Sequence, residues 1–254
     1  MSKTITFIGN GNMALSIAKG LKSEYKIEVV GRDLKKLNAF EKELGVSVNK
    51  HLLKDFDIEN KTILFCVKPA NVEEIGAQLQ GKARVLYSVL AGTTIEKLHT
   101  YISAHAVVRT MPNLAASVGK SMTTLTGDIN FKEEAQKLLG AIGTTQWLGS
   151  EKEIDIATAL AGSGPAYLAL MAEALADGAV REGLKRDDAM AIMCGLFDGF
   201  GTLIQDIHPA LLKDAVMSAG GTTAAGYGAL ESGNVRNACM SAIKMAHKRA
   251  KELS

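Results

Sequence analysis

From Met1 to about Trp147, short runs of β-branched and aromatic residues alternate with amphipathic stretches. This is the pattern of a parallel sheet wrapped by helices. The runs predict strands at Thr4–Gly9, Ile27–Gly31, Thr62–Val67, Val85–Val89 and Val107–Thr110, with helices beginning near Asn12, Leu34, Val72 and Thr94. From Glu151 onward the β-branched runs disappear. Ala, Leu, Met and Gly then recur at helical spacing through Ala157–Gly183, Arg186–Asp206, Pro209–Ser218 and Thr222–Glu252. Ala166–Tyr167–Leu168–Ala169–Leu170–Met171 is apolar nearly all round, so such a helix needs cover on several sides. The expected architecture is an α/β domain over residues 1–152 followed by an all-helical domain over 153–254. The apolar surface of the second suggests packing against another subunit.

With 254 residues and 47% hydrophobic composition, the chain can bury a sizeable core. Its 29 basic and 27 acidic residues are scattered and give a net charge of +2, which argues against a nucleic-acid partner. The apolar run from Ile5 to Gly9 is too short for a membrane span or a signal core, so a cytoplasmic protein with no membrane partner is expected. Cys66, Cys194 and Cys239 are far apart and lack neighbours at metal spacing, so they predict free thiols and no metal site.

The strongest local signal is Gly9-Asn10-Gly11-Asn12-Met13-Ala14, which follows an apolar strand and opens a helix. Gly9 permits a tight turn, Gly11 lets a pyrophosphate approach the backbone, and Ala14 lets helix and strand pack closely. The helix N-terminus then faces the anion. About 20 residues beyond the glycines, where an NAD site offers an acid, Arg32 stands before Asp33. A guanidinium suits the extra phosphate of NADP, while Asp33 is placed to cap the next helix. NADP(H) is therefore preferred, with NAD(H) left open; the alternative is a solvated Arg32. Ligands bind such sheets at the carboxyl ends of strands. That places Val67, Lys68 and Pro69 beside the nicotinamide ribose, with Ala91 and Gly92 allowing close approach. Lys68 read alone is equally well a surface charge. Met111-Pro112-Asn113 reads as a turn lining the same cleft.

Five segments in order along nearly the whole chain carry a resemblance: Gly9 to Ala14, Val67-Lys68-Pro69, Val108 to Asn113, Ala161-Gly162-Ser163-Gly164-Pro165-Ala166-Tyr167, and Gly220-Gly221-Thr222-Thr223. Together they resemble the pyrroline-5-carboxylate reductase family. The resemblance implies an NADPH-dependent reduction of the cyclic imine 1-pyrroline-5-carboxylate to L-proline, the last step of proline biosynthesis. It implies that the Ser163-Gly164-Pro165 turn faces the nicotinamide and substrate, although Ser163 as a helix cap and Pro165 in a first turn are a sufficient structural reading. It implies that Thr223 contacts the imine nitrogen and that Ser218, Gly220, Gly221 and Thr222 hold the substrate carboxylate, where backbone N–H groups at a helix start form an anion site. It also implies a homo-oligomer, a dimer at minimum with a decamer left open, in which the nucleotide domain of one subunit faces the helical domain of its partner. Two positions depart from the pattern: Gly31 stands where the family usually has Asn, and Ala219 where it has Pro.

Glu173 and Asp177 receive no catalytic role, and His208 before Pro209 reads as a helix-entry residue. Two other functions stay in view. One is an NADP-linked dehydrogenase acting on β-hydroxy acids, whose catalytic lysine motif has no evident match here. The other is a catalytically silent NADP-binding regulator, which would be expected to have lost the Gly220–Thr223 loop.

Overall fold

The computed structural model describes residues 3–253. The chain divides into two compact units, one reaching to Pro165 and regaining the chain from Met245, the other spanning Ala166–Lys244. The expected boundary between residues 152 and 153 lies within a helix, Glu151–Ala157, of the first unit.

In the first unit the strands are β1 (Thr4–Ile8), β2 (Lys26–Gly31), β3 (Asn49–Leu52), β4 (Phe56–Asp57), β5 (Thr62–Phe65), β6 (Leu79–Gln80), β7 (Val85–Ser88), β8 (Val107–Met111), β9 (Ser121–Gly127) and β10 (Gly143–Trp147). Eight of them form one sheet in the order β10-β9-β8-β7-β5-β1-β2-β3, and β4 pairs separately with β6. Strands β3, β2, β1, β5, β7 and β8 are mutually parallel, β9 runs antiparallel to β8, and β10 is parallel to β9. Counting only the parallel strands in chain order gives 3-2-1-4-5-6, the Rossmann arrangement. The helices are α1 (Asn12–Leu21), α2 (Leu34–Leu44), α3 (Val72–Gly76), α4 (Ile95–Tyr101), α5 (Lys132–Gly140) and α6 (Glu151–Ala157).

Alternation along the strands sends side chains to two separate cores. Phe7, Val29, Leu64 and Tyr87 pack with Ile17 and Leu21 of α1, Leu37 and Phe40 of α2, and Leu138 of α5. Ile8, Val30, Ile63, Phe65 and Leu86 pack on the opposite face with Val72 and Ile75 of α3 and Leu98 of α4. Each large side chain so buried contributes about 1.5–3 kcal/mol. The sheet thus has helices on both faces, and the carboxyl ends of its parallel strands converge on one edge.

Three main-sheet strands, β3, β9 and β10, lie where no strand was expected. Asn49–Leu52 and Gly143–Trp147 are edge strands of mostly polar residues. In Ser121–Gly127 most buried hydroxyls find partners, as in the Ser121–Thr123 pair at 3.0 Å and Thr126 on the Leu148 carbonyl at 3.1 Å, while that of Thr124 has none.

The second unit contains most of α7 (Gly164–Arg181), then α8 (Arg186–Asp206), α9 (Pro209–Val216), α10 (Thr222–Ser232) and the first part of α11 (Val235–Leu253). The single helix expected over Thr222–Glu252 is two helices, because Asn234 takes a left-handed conformation with φ 58° after Gly233. Asn tolerates that region better than most side chains, so the break costs little. His208 caps α9 by accepting from the Ala210 N–H, as its place before Pro209 suggested.

The reading of Ser163 as a helix cap is corrected. Ser163 has helical angles, φ −90° and ψ −22°, and its N–H donates to the Thr158 carbonyl five residues back. It lies inside a continuous helical stretch, Glu151–Arg181, in which Thr158–Gly162 forms a π-helical turn between α6 and α7. That stretch of 31 residues is long and apolar enough to cross a membrane. Cys66, Cys194 and Cys239 are all free.

Candidate active site

The sheet edge where β1, β2 and β5 end opens into a cleft of about 530 Å³. Gly9, Asn10, Gly11, Arg32, Val67 and Lys68, all expected on sequence grounds, line it together with Gly31, Lys36 and Cys66. Gly9 has φ +104°, and a β-carbon there would collide with the Cys66 carbonyl, so the turn requires glycine. Gly11 is different. A β-carbon on it would meet no protein atom within 4 Å, so its surface faces open space that a ligand can fill.

Gly11 is also the N-cap of α1 and supplies no side-chain acceptor, and the first turn carries no acid. The leading N–H groups of α1 therefore point at the cleft without a side-chain partner, which suits a phosphate. Asn12 lines a smaller adjoining hollow of about 170 Å³ with Asn10, Gly11 and Lys36. Burial pushes the Cys66 thiol well above its ordinary value, so it lines the cleft as a neutral group.

At the far end of the cleft two cations converge. Arg32, at the end of β2, is exposed and lies 3.3 Å from Glu74 of α3. Lys36, in the first turn of α2, has no ion-pair partner among the described residues. Asp33 turns away from the cleft to cap α2, accepting from the Lys35 N–H at 2.7 Å. Lys36 escaped the sequence reading, although its spacing of four from Arg32 across a strand-to-helix turn was a usable signal. The cleft residues fit a dinucleotide with an additional phosphate on its adenosine end.

The other expected residues of this unit lie along the same sheet edge. Pro69 starts a short 3₁₀ turn after β5, and Gly92, with φ +63°, follows β7. Asn113 follows β8. Its Oδ1 accepts from the Ala115 N–H at 3.1 Å and its Nδ2 donates to the Ala161 carbonyl at 3.0 Å. Pro165 lacks the N–H that would reach the carbonyl four residues back, which is Ala161, so the Asn113 amide takes an acceptor that proline leaves free. Neither Ser163 nor Gly164 lines the 530 Å³ cleft.

In the helical unit, Ser218 to Gly221 form a turn closed by the Gly221 N–H on the Ser218 carbonyl at 3.0 Å. Gly220 has φ +70°, and a β-carbon on Gly221 would run into the Ser218 hydroxyl. Gly221 is the N-cap of α10 with no side-chain acceptor, and Thr222 and Thr223 are exposed in its first turn. Here too is a bare helix N-terminus, flanked by hydroxyls. Asp177 is paired with Arg186 at 2.5 Å.

Residues 151–253 match the family model for pyrroline-5-carboxylate reductase dimerisation, and residues 4–92 match that for NADP oxidoreductase, coenzyme F420-dependent. A pyrroline-5-carboxylate reductase of Pisum sativum is 36% identical over 269 aligned residues, covering 100% of this chain and 97% of the relative. The chain belongs to the pyrroline-5-carboxylate reductase family. Members of this family are NAD(P)H-dependent oxidoreductases. A solved reductase from Coxiella burnetii superimposes with a TM-score of 0.85 at 31% identity, covering 100% of this chain and 99% of that one. The reductase of Plasmodium falciparum, solved with NADP bound, gives 0.80 at 25% identity, covering 99% and 98%.

Within the reductase family the glycine at 31 now has a local explanation. A β-carbon there would lie 3.0 Å from Leu37 and 3.2 Å from the Asn10 side-chain oxygen. The Asn10 amide occupies the space that a larger residue 31 would need. Nothing in the structure explains Ala219.

Proposed function

We propose that this chain reduces the carbon–nitrogen double bond of 1-pyrroline-5-carboxylate to give L-proline, using NADPH in preference to NADH. Family membership supports the reaction, and the observation that carries the cofactor preference is the pair of cations, Arg32 and Lys36, in one cleft beside the open N-terminus of α1. NADPH when bound supplies the hydride.

The chain's own groups bind and orient. N–H groups of the first α1 turn hold the pyrophosphate over Gly11. Arg32 and Lys36 take the 2′-phosphate, with Arg32 leaving Glu74 to do so. Val67, Lys68, Pro69, Ala91, Gly92, Asn113 and the Ser163–Pro165 segment bound the nicotinamide end. In the helical unit, the α10 N-terminus at Gly220, Gly221 and Thr222, with the Ser218 hydroxyl, holds the substrate carboxylate. The Thr223 hydroxyl hydrogen-bonds the imine nitrogen. That nitrogen ends the reaction with one more proton while the ring carbon gains the hydride.

The protein works as a homo-oligomer, at least a dimer, in which a second copy covers the apolar faces of the helical unit, including those of Glu151–Arg181 that would otherwise suit a bilayer. The test follows NADPH oxidation with pyrroline-5-carboxylate, identifies proline as the product, and repeats the assay with NADH. Thr223→Ala is expected to lower kcat about 10–100-fold with NADPH binding unchanged. Wild-type protein that binds NADPH but forms no proline would refute the reading.

A further inference from the structure

Among the described residues Arg109 is the largest side chain buried to 1% exposure, and neither the cofactor cleft nor the substrate loop uses it. It lies on β8, and its guanidinium reaches across to α6, donating to Glu151 at 3.0 Å and Asp155 at 2.7 Å. Those two acids stand four residues apart, one above the other on a single helix face. The same Glu151 oxygen accepts the Ile95 N–H at 2.8 Å, at the start of α4, which follows the Ala91–Gly92 loop after β7. One buried cation thus ties the start of α6 to β8 and to the element that follows β7. At the other end of the segment, Asn113 holds the Ala161 carbonyl next to Pro165.

A hydrophobic contact would serve stability as well as this cluster does, since burying ions is costly and apolar replacements of whole buried clusters are often neutral. The cluster is not even fully satisfied: the Arg109 Nε has no hydrogen-bond partner. What it supplies is direction. The planar fork fixes the rotation and height of α6 on the sheet, which a greasy contact leaves free to slide. The π-helical turn Thr158–Gly162 follows the first tie and contains the second, and turns of this kind recur at functional sites.

We infer that Arg109 is a positioning residue: by fixing Glu151 and Asp155 it holds the π-helical turn in register, and so sets where Ser163-Gly164-Pro165 stand directly after the Ala161 carbonyl that Asn113 holds. This rests on the proposed reduction for its catalytic consequence, though not for its structural one.

The test compares Arg109→Met with a triple variant that also carries Glu151→Gln and Asp155→Asn. The single variant strands two carboxylates and is expected to lose stability. The triple removes the charges together, and the amide oxygen introduced at position 151 still accepts the Ile95 N–H. It is expected to recover Tm close to wild type, while amide hydrogen exchange across residues 158–165 stays at least tenfold faster and kcat at least tenfold lower. Affinity for 2′,5′-ADP, which probes only the adenosine end, stays unchanged. A triple variant with wild-type exchange and wild-type kcat overturns the inference, because the cluster would then serve stability alone. Arg109→Lys provides a second arm if the triple does not fold: one ammonium cannot reproduce the fork, so a stable protein with reduced kcat and faster exchange is expected, and unaltered values of both overturn the idea. Wild-type protein that never reduces the imine refutes the proposed function, and hydrogen exchange then decides the positioning role by itself.

Discussion

The sheet unit closes its own core, whereas the helical unit does not. Strands β1, β2, β5, β7 and β8 are buried along nearly their whole length between two layers of helices. Between Ala166 and Lys244 the buried apolar residues are only Ala176 and Ala189, while Leu170, Ile192, Leu196 and Leu211 each expose more than half of their surface. Both units are rich in apolar residues. The difference is that a sheet covered on both faces satisfies its burial within one chain, and helices that are apolar all round require neighbours. The sheet unit can therefore present a cofactor cleft by itself, and the helical unit carries the proposed contact with a second copy, in keeping with its match to a dimerisation model.

The most severe way to break this contrast is to charge the helical face. Ile192→Glu with Leu196→Glu, one turn apart on α8 and 61% and 57% exposed in the single chain, is expected to yield monomers by sedimentation and at least a hundredfold loss of activity. Affinity for 2′,5′-ADP is expected to hold, and an intact oligomer would show that α8 is not the covered face. Two glycines next sharpen the picture inside the sheet unit. Gly9→Ala forces a side chain into the Cys66 carbonyl at φ +104°, at a cost of about 2–4 kcal/mol in stability, read from urea unfolding. Gly11→Ala meets open space, so stability is expected to be retained while NADPH affinity falls about 10–100-fold by fluorescence titration. Equal stability losses would erase the distinction between the two.

A smaller effect is expected from Arg32→Ala and Lys36→Ala. Each removes one charge-assisted contact and should weaken NADPH binding about tenfold, leaving NADH untouched. Weakening of both cofactors alike would argue against a 2′-phosphate role. The smallest effect concerns Glu134, which meets Arg84 at the opposite end of the sheet and accepts from the Tyr87 hydroxyl at 3.1 Å. Burial acts to raise its carboxyl, but the Arg84 bond and charge, with the Tyr87 bond, outweigh it and leave the group below its ordinary range. A lowered native value gives stability that is present above the unfolded value and fades as pH falls through the native one. Glu134→Gln is expected to flatten part of that acid loss in urea midpoints measured across falling pH.

Sequence reading reached the parts governed by local pattern. The turn at Gly9–Ala14, the caps at Asp33 and His208 and the limits of α8 follow from spacing and residue type within a few positions. It failed where the partner lies far along the chain. The strands β9 and β10 are polar runs made regular by pairing with neighbours, and β3 is a short polar edge. Ser163 had the composition of a cap, yet Asn113, 48 residues before Ala161, supports the helix through that point. The grip of Arg109 on Glu151 and Asp155 spans similar separations, and no period or motif encodes it.

The short outer strand β3 carries one further consequence. Its Lys50 is held by Asn38 at 2.9 Å and Glu41 at 2.6 Å, and its His51 lies 3.1 Å from Glu28. A sheet edge left bare is a template on which other chains can stack, strand upon strand, into fibrils. A four-residue strand whose Lys50 and His51 are tethered offers little such template. When the protein is concentrated, or newly made in excess, this edge of the sheet is guarded against runaway pairing, and strand-paired fibrils are not expected to start from it.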